Sequence, residues 1–213
     1  MAQRTIHYAF GELFSRQIRL RDKNRFLLGS IMPDAYADPR DRDRTHYKIK
    51  TATHVYLDFC AFRNQFSEEI LQDDLYLGYY MHLVEDAFYR QFLYSGHFKA
   101  THNRAEVARL HNDYHILNAH IVNKYGIRNE LQAPFDLTQE PINRIAAFRI
   151  HEFIQEMAWD FTEQPTGATF YISEDMVDAF MDKYVPLGLE ELRHIQNGES
   201  VLRASDYTWR INE

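Results

Sequence analysis

Apolar residues recur at helical spacing through most of this chain, and polar residues mark where each run starts and stops. Phe10, Leu13, Phe14 and Ile18 lie three or four apart and predict a helix over 8–19. Asp22 offers the side-chain oxygen an N-cap needs, so a short helix is predicted to residue 28, stopped by Gly29 and Pro33. Residues 35–44 are polar and read as a loop, and a third helix is predicted over 52–65. Asp73 or Asp74 opens a long fourth helix, expected to end near Ser95-Gly96. Val107, Leu110, Tyr114, Leu117, Ile121 and Tyr125 make one stripe of a fifth helix, from Asn103 to a closing Gly126. Pro141 suits a first turn and predicts a sixth helix over 140–161. A last helix starts at Ser173 and reaches 197, with a break expected at Pro186. Residues 169–172 carry a weak strand pattern, and the tail after 199 favours no element.

The sum is an all-α chain, one multi-helix bundle spanning 1–213. Composition agrees: 14 Tyr and 15 Phe stand against 8 Gly and 6 Pro, so long side chains with few breakers favour helices over a sandwich or barrel. A length of 213 residues suits one domain, and a 45% hydrophobic share allows a large core. The net charge of -7 argues against a broad nucleic-acid face, so any phosphate recognition must be local. Cys60 is the one cysteine, which excludes an internal disulfide, and its apolar surroundings read as core. There is no repeat, no linker, no apolar signal segment and no run near the ~20 residues of a membrane span. A cytoplasmic protein is the expectation; oligomeric state is not legible.

The predicted fourth helix is apolar nearly all round, yet holds His82 and Asp86, four apart on one face. Glu85 projects elsewhere and is not expected to join them. Burying a carboxylate and an imidazole without partners costs several kcal/mol each, roughly. Either the pair bonds to itself or a backbone carbonyl, or it has a further partner. Asp34 and His46 bracket the arginine-rich loop. Alone, Asp34 reads as a turn or capping residue and His46 as a loop histidine. Together the four make a mixed oxygen and nitrogen set of the kind that holds a zinc-like divalent ion.

The order Phe26-Leu-Leu-Gly-x-x-x-Pro-Asp34, Thr45-His46-Tyr47 and Gly78-Tyr-x-x-His82-x-x-x-Asp86 resembles the zinc-dependent phospholipase C family. It is also similar to the single-strand nucleases of that superfamily. Small bacterial members share Thr5-Ile6-His7 and Asp113-Tyr-His-Ile-Leu-Asn118. The likeness spans about residues 5–125. It implies an all-helical fold with a zinc cluster in a cleft, and Asp34, His46, His82 and Asp86 as ligands of one metal, with Asp86 bridging to another. His7 and Asp113 are further candidate ligands; a surface histidine and a solvated partner of Arg109 are the alternatives. The chain departs from the pattern at Phe92, where a ligating histidine is expected, and has no Trp at its start. One or two divalent metals are therefore expected instead of three.

The resemblance points to hydrolysis of phosphate esters by metal-activated water, with Asp34 and Asp86 as catalytic carboxylates. The substrate is then a small phosphate ester or a phospholipid headgroup, not nucleic acid. Arg40, Arg42 and Arg44 are candidate phosphate contacts, although alternating charge also makes a self-paired surface loop. His111 and His115 share a helix face and are candidates to orient ligands or substrate. An HD-type phosphohydrolase needs a His-Asp dipeptide, which is absent. The non-enzymatic alternative is a helical protein with a structural metal, or a degenerate site that binds a ligand or partner.

Overall fold

The most apolar stretch becomes the central helix, α6 (Asp74–Phe92), in which every residue from Asp74 to Arg90 is buried. The computed structural model describes residues 4–94, 98, 103–132, 136–162 and 165–210. The expected end of this helix at Ser95-Gly96 lies outside them. Asp73 caps it by accepting the Leu75 N–H at 2.9 Å.

Around α6 pack α1 (Arg4–Ser15), α2 (Lys23–Gly29), α4 (Phe59–Gln65), α5 (Ser67–Gln72) and α9 (Glu174–Ile195). A further long helix, α7 (Arg104–Tyr125), lies against α1 and against α8 (Ile150–Thr162). The caps read from sequence at Asp22 and Gly126 are formed, with Gly126 at φ 59°, and Asn103 and Ser173, where helices were expected to start, each accept a backbone N–H in the first turn. The fold is mostly helical, with a hydrophobic core that runs from Ile6 to Trp209. Among the described residues, no helix is long and apolar enough to cross a membrane.

The contact between α2 and α6 positions the site. A Cβ on Gly29 would run into the Leu75 carbonyl oxygen, and one on Gly78 into the Phe26 carbonyl oxygen. The two backbones therefore touch directly. Gly29 does end α2, but its larger role is this close approach, which sets the Ser30 carbonyl against α6.

Five expectations are corrected. Residues 52–57 are not helical: β1 (Lys48–Lys50) and β2 (His54–Leu57) form an antiparallel hairpin, with Lys48 opposite Leu57 and Lys50 opposite Val55. Burial alternates along His54-Val55-Tyr56-Leu57, a period of two that the short segment hid. The tail supplies β3 (Trp209–Arg210), paired to β2, so one small three-stranded sheet accompanies the helices. The predicted sixth helix begins at Ile150, because Pro141–Arg144 is a 3-10 turn and Phe148 bridges to Tyr36. Finally, α9 continues through Pro186. Pro186 and Asp182 are exposed, so water can satisfy the orphaned Asp182 carbonyl, while Phe180, Tyr184, Leu189 and Leu192 stay buried on either side. Residues 169–172 form no strand among the described elements.

Candidate metal centre

Three separate stretches deliver side chains to one face of α6. His7 comes from the middle of α1. Asp34 closes a 3-10 turn, Met32–Asp34, whose first turn holds Pro33. Its position is held from downstream by the extended pairing of Ala37 N–H with the Ala147 carbonyl and of Arg149 N–H with the Ala35 carbonyl, both 2.8 Å. His46 follows the short helix α3 (Arg42–Thr45), which Tyr79 of α6 fastens by donating its hydroxyl to the Thr45 carbonyl at 2.7 Å. His82, Glu85 and Asp86 come from α6 itself.

The imidazoles are oriented by their outer nitrogens. His82 Nδ1 lies 2.8 Å from the Ser30 carbonyl, and His46 Nδ1 lies 2.9 Å from the Arg42 carbonyl. A carbonyl only accepts, so each Nδ1 carries a proton, and the neutral ring of His82 keeps a lone pair on Nε2. The Nε2 atoms of the two rings face one another at 3.4 Å, and His46 Nε2 is 3.2 Å from Asp34 Oδ1. His7 Nε2 stands 3.7 Å from Asp34 Oδ2, and its ring stacks on His82 with centroids 3.8 Å apart. His7, Asp34 and His82 each offer a ligand atom, and these lie within 4.8 Å of one another. Asp86 Oδ2 is 4.0 Å from His46 Nε2.

Burial keeps two of the three imidazoles uncharged. Burial lowers His7 to about 4, and burial with His7 close by holds His82 well below the usual imidazole range. Burial opposes ionisation of Asp34, but His46, His82 and His7 outweigh it and keep this carboxyl below the usual range. His7 Nε2, Asp34 Oδ1 and Glu85 Oε1 are buried without a hydrogen bond. Each such atom costs about 1–3 kcal/mol unless something fills the gap. Ligands ~2.0–2.2 Å from a tetrahedral ion lie ~3.3–3.6 Å from one another. The 3.2 and 3.4 Å separations here fit a divalent cation held by nitrogen and oxygen.

Of the expected quartet, Asp34, His46 and His82 are brought within 3.4 Å contacts, Asp86 stands 4.0 Å from His46, and His7, read as ligand or surface residue, is 1% exposed beside Asp34 and His82. Glu85 is the correction. It is 1% exposed, and its Oε2 touches His7 Nδ1. No face of α6 meets water, so the position next to Asp86 points at α1 instead of solvent. Burial, then repulsion from Asp86 and Asp34, raises its carboxyl well above the usual range. Arg90 was also missed. Its Nε donates to Asp86 Oδ2 at 2.8 Å, and burial of Asp86 is overcome by this cation, which keeps the carboxylate ionised. The i, i+4 spacing of Asp86 and Arg90 was the available signal; Glu85 had none.

Asp113 does other work. Its oxygens accept the N–H groups of Phe170, Tyr171 and Ile172 at 2.8, 2.6 and 3.2 Å, which fastens the irregular 169–172 segment to α7. That occupies the carboxylate and leaves it a clasp in place of the expected ligand. Arg40 pairs with Asp38 and Arg44 with Asp41 inside their own exposed loop. Arg42 has no ion pair among the described residues, and its charge is felt at Tyr36 and His111. His111 and His115 are exposed on α7. Cys60 is half-buried and free. Compared with family models, curated proteins and solved structures, the chain matches none of them.

Proposed function

We propose that this cluster holds a divalent cation of the zinc class and that the protein hydrolyses phosphate esters. The observation that carries the reading is the convergence of three ligand-type atoms, Asp34 Oδ1 and the Nε2 atoms of His46 and His82, at 3.2–3.4 Å. A divalent cation makes such an arrangement favourable. His7, Asp34, His46 and His82 would hold it, with Asp86 contributing charge while anchored to Arg90. A bound divalent ion supplies Lewis acidity to water and to phosphoryl oxygens.

The chain's own groups supply the rest. Asp34 is the most exposed ligand side chain, at 7%, so substrate approaches across it. As an ionised acceptor it orients a water molecule. Arg42, exposed and without an ion pair among the described residues, is the cation of this loop available to bind a substrate phosphate bidentately. A small phosphate ester or phospholipid headgroup fits the acidic chain better than nucleic acid. The phospholipase C and nuclease type of helical bundle belongs to the same reading.

A structural metal is the second reading, favoured by burial: His7, His46, Glu85, Asp86 and His82 are each at most 1% exposed. A closed four-ligand site leaves no place for substrate. Metal quantification on purified protein, followed by phosphomonoester, phosphodiester and phosphocholine substrates, decides. Bound metal with turnover, both lost in His82→Ala, supports the hydrolase. Stoichiometric metal with no turnover on any substrate supports the structural role. Metal-free protein with unchanged turnover rejects both.

A further inference from the structure

Among the described residues Arg90 is the one buried arginine or lysine, at 6% exposure. One edge of its guanidinium meets Asp86, with Nε donating to Oδ2 at 2.8 Å. One face meets a ring from the far end of the chain: Arg90 Cζ stands 5.3 Å from the centre of the Trp209 ring, itself 7% exposed. Arg4, Arg109, Lys124 and Lys183 also lie over aromatic rings, but each of these cations is wholly or partly exposed. The Arg90 contact is the dry one of the set, and its cation bonds to a residue of the metal centre, since Asp86 lies 4.0 Å from His46 Nε2.

The tail is pinned so that the ring sits there. Strand β3 pairs with β2, with Trp209 opposite Val55. Just upstream, the Asp206 carbonyl accepts the Gln91 side-chain N–H at 2.8 Å, and Tyr207 packs on Phe88 with ring centroids 4.8 Å apart. Phe88 and Gln91 flank Arg90 on α6, so the attachments fall on both sides of it. The small sheet thus reaches the metal centre at both edges: β1 begins two residues after His46, and β3 lays Trp209 against Arg90.

We infer that Trp209 is a positioning residue of the metal centre, acting through Arg90 to fix the Asp86 carboxylate. The inference rests on the metal reading above. A cation over an aromatic face is attracted by the ring quadrupole, most strongly by indole and where water is excluded. The ring also keeps water from the Asp86–Arg90 bond, which a high dielectric would weaken. Without it Arg90 turns to solvent, and Asp86 loses the bond that fixes where its charge sits. Groups that orient the side chains around a metal are part of the affinity for the ion.

Zinc affinity of chelator-stripped protein, measured against a competing indicator, tests this. Trp209→Phe keeps a ring face and is expected to retain affinity within about threefold. Trp209→Leu keeps apolar bulk without a ring and is expected to lose about tenfold. A role in packing alone would make the two variants equal. A second readout leaves position 209 untouched. The chain has two tryptophans, and Trp159 is 63% exposed, so Trp159→Phe leaves Trp209 as the sole indole emitter. Its emission is expected to change as zinc is added and to saturate together with the indicator signal. Should Trp209→Leu fail to fold, this titration decides. Equal zinc affinity in Trp209→Phe and Trp209→Leu, or emission unmoved by zinc that the indicator shows to be bound, overturns the inference and leaves the metal reading standing. Protein that takes up no zinc overturns the metal reading and the inference with it.

Discussion

Glu191 and Glu85 are both buried glutamates on long helices, yet their surroundings are opposite. Glu191 is 0% exposed and meets donors: the Tyr80 hydroxyl at 2.6 Å, Ser200 Oγ at 2.8 Å, and the N–H groups of Val201 and Leu202 at 2.9 and 3.1 Å. Asp113 repeats the pattern with three backbone N–H groups. Each closes a loop onto a helix. Around Glu85, which touches His7 Nδ1, acceptors are in surplus: Glu85 Oε1, His7 Nε2 and Asp34 Oδ1 are left over. Burial alone therefore does not separate a clasp from a binding site. The sign of the facing groups does: donors mean the carboxylate is finished, whereas acceptors mean that a cation or proton is still needed.

This contrast can be broken most sharply by chelation. Removing metal from wild-type protein is expected to abolish turnover and lower the melting temperature, and readdition to restore both; a chelated protein with unaltered melting and activity would erase the distinction. The next largest effect is on stability. Glu191→Ala strands four donors and is expected to cost about 3–5 kcal/mol in urea unfolding, with metal content unchanged. Loss of metal in that variant would mean that the two regions are coupled.

Glu85→Gln sharpens the other side. The fold is expected to survive, with metal affinity reduced about 10–100-fold, as for other groups that orient a ligating histidine. Wild-type affinity would remove Glu85 from the site. Arg42→Met should raise KM about tenfold, the value of one charge-assisted bond, at constant metal content; an unchanged KM would place phosphate recognition elsewhere.

The smallest effect concerns an ordinary surface pair. Burial of Asp178 is outweighed by Lys124, His120 and Tyr125, which lower its carboxyl to about 2. Its unfolded value is ~3.9, so the contribution is complete above about pH 4 and disappears as pH falls through 2. Acid unfolding of Asp178→Asn should show a shallower slope only in that window, and only slightly, because the group is partly solvated. A large change would give this pair a weight its exposure does not support.

The sequence by itself determined the elements whose causes are local. Asp22, Asn103 and Ser173 cap helices because a side-chain oxygen and its N–H partner are two or three residues apart. His82 and Asp86 share a face because of helical pitch alone. Only the tertiary structure decided that Glu85 belongs with His7, that the Ser30 and Arg42 carbonyls orient His82 and His46, that Asp113 holds 170–172, and that residues 48–57 and 209–210 pair as strands. Those partners come from other segments of the chain or depend on which way a backbone carbonyl points. The bare approach of Gly29 to Gly78 is what brings several of them within bonding reach, and no periodicity along one segment encodes a meeting between two.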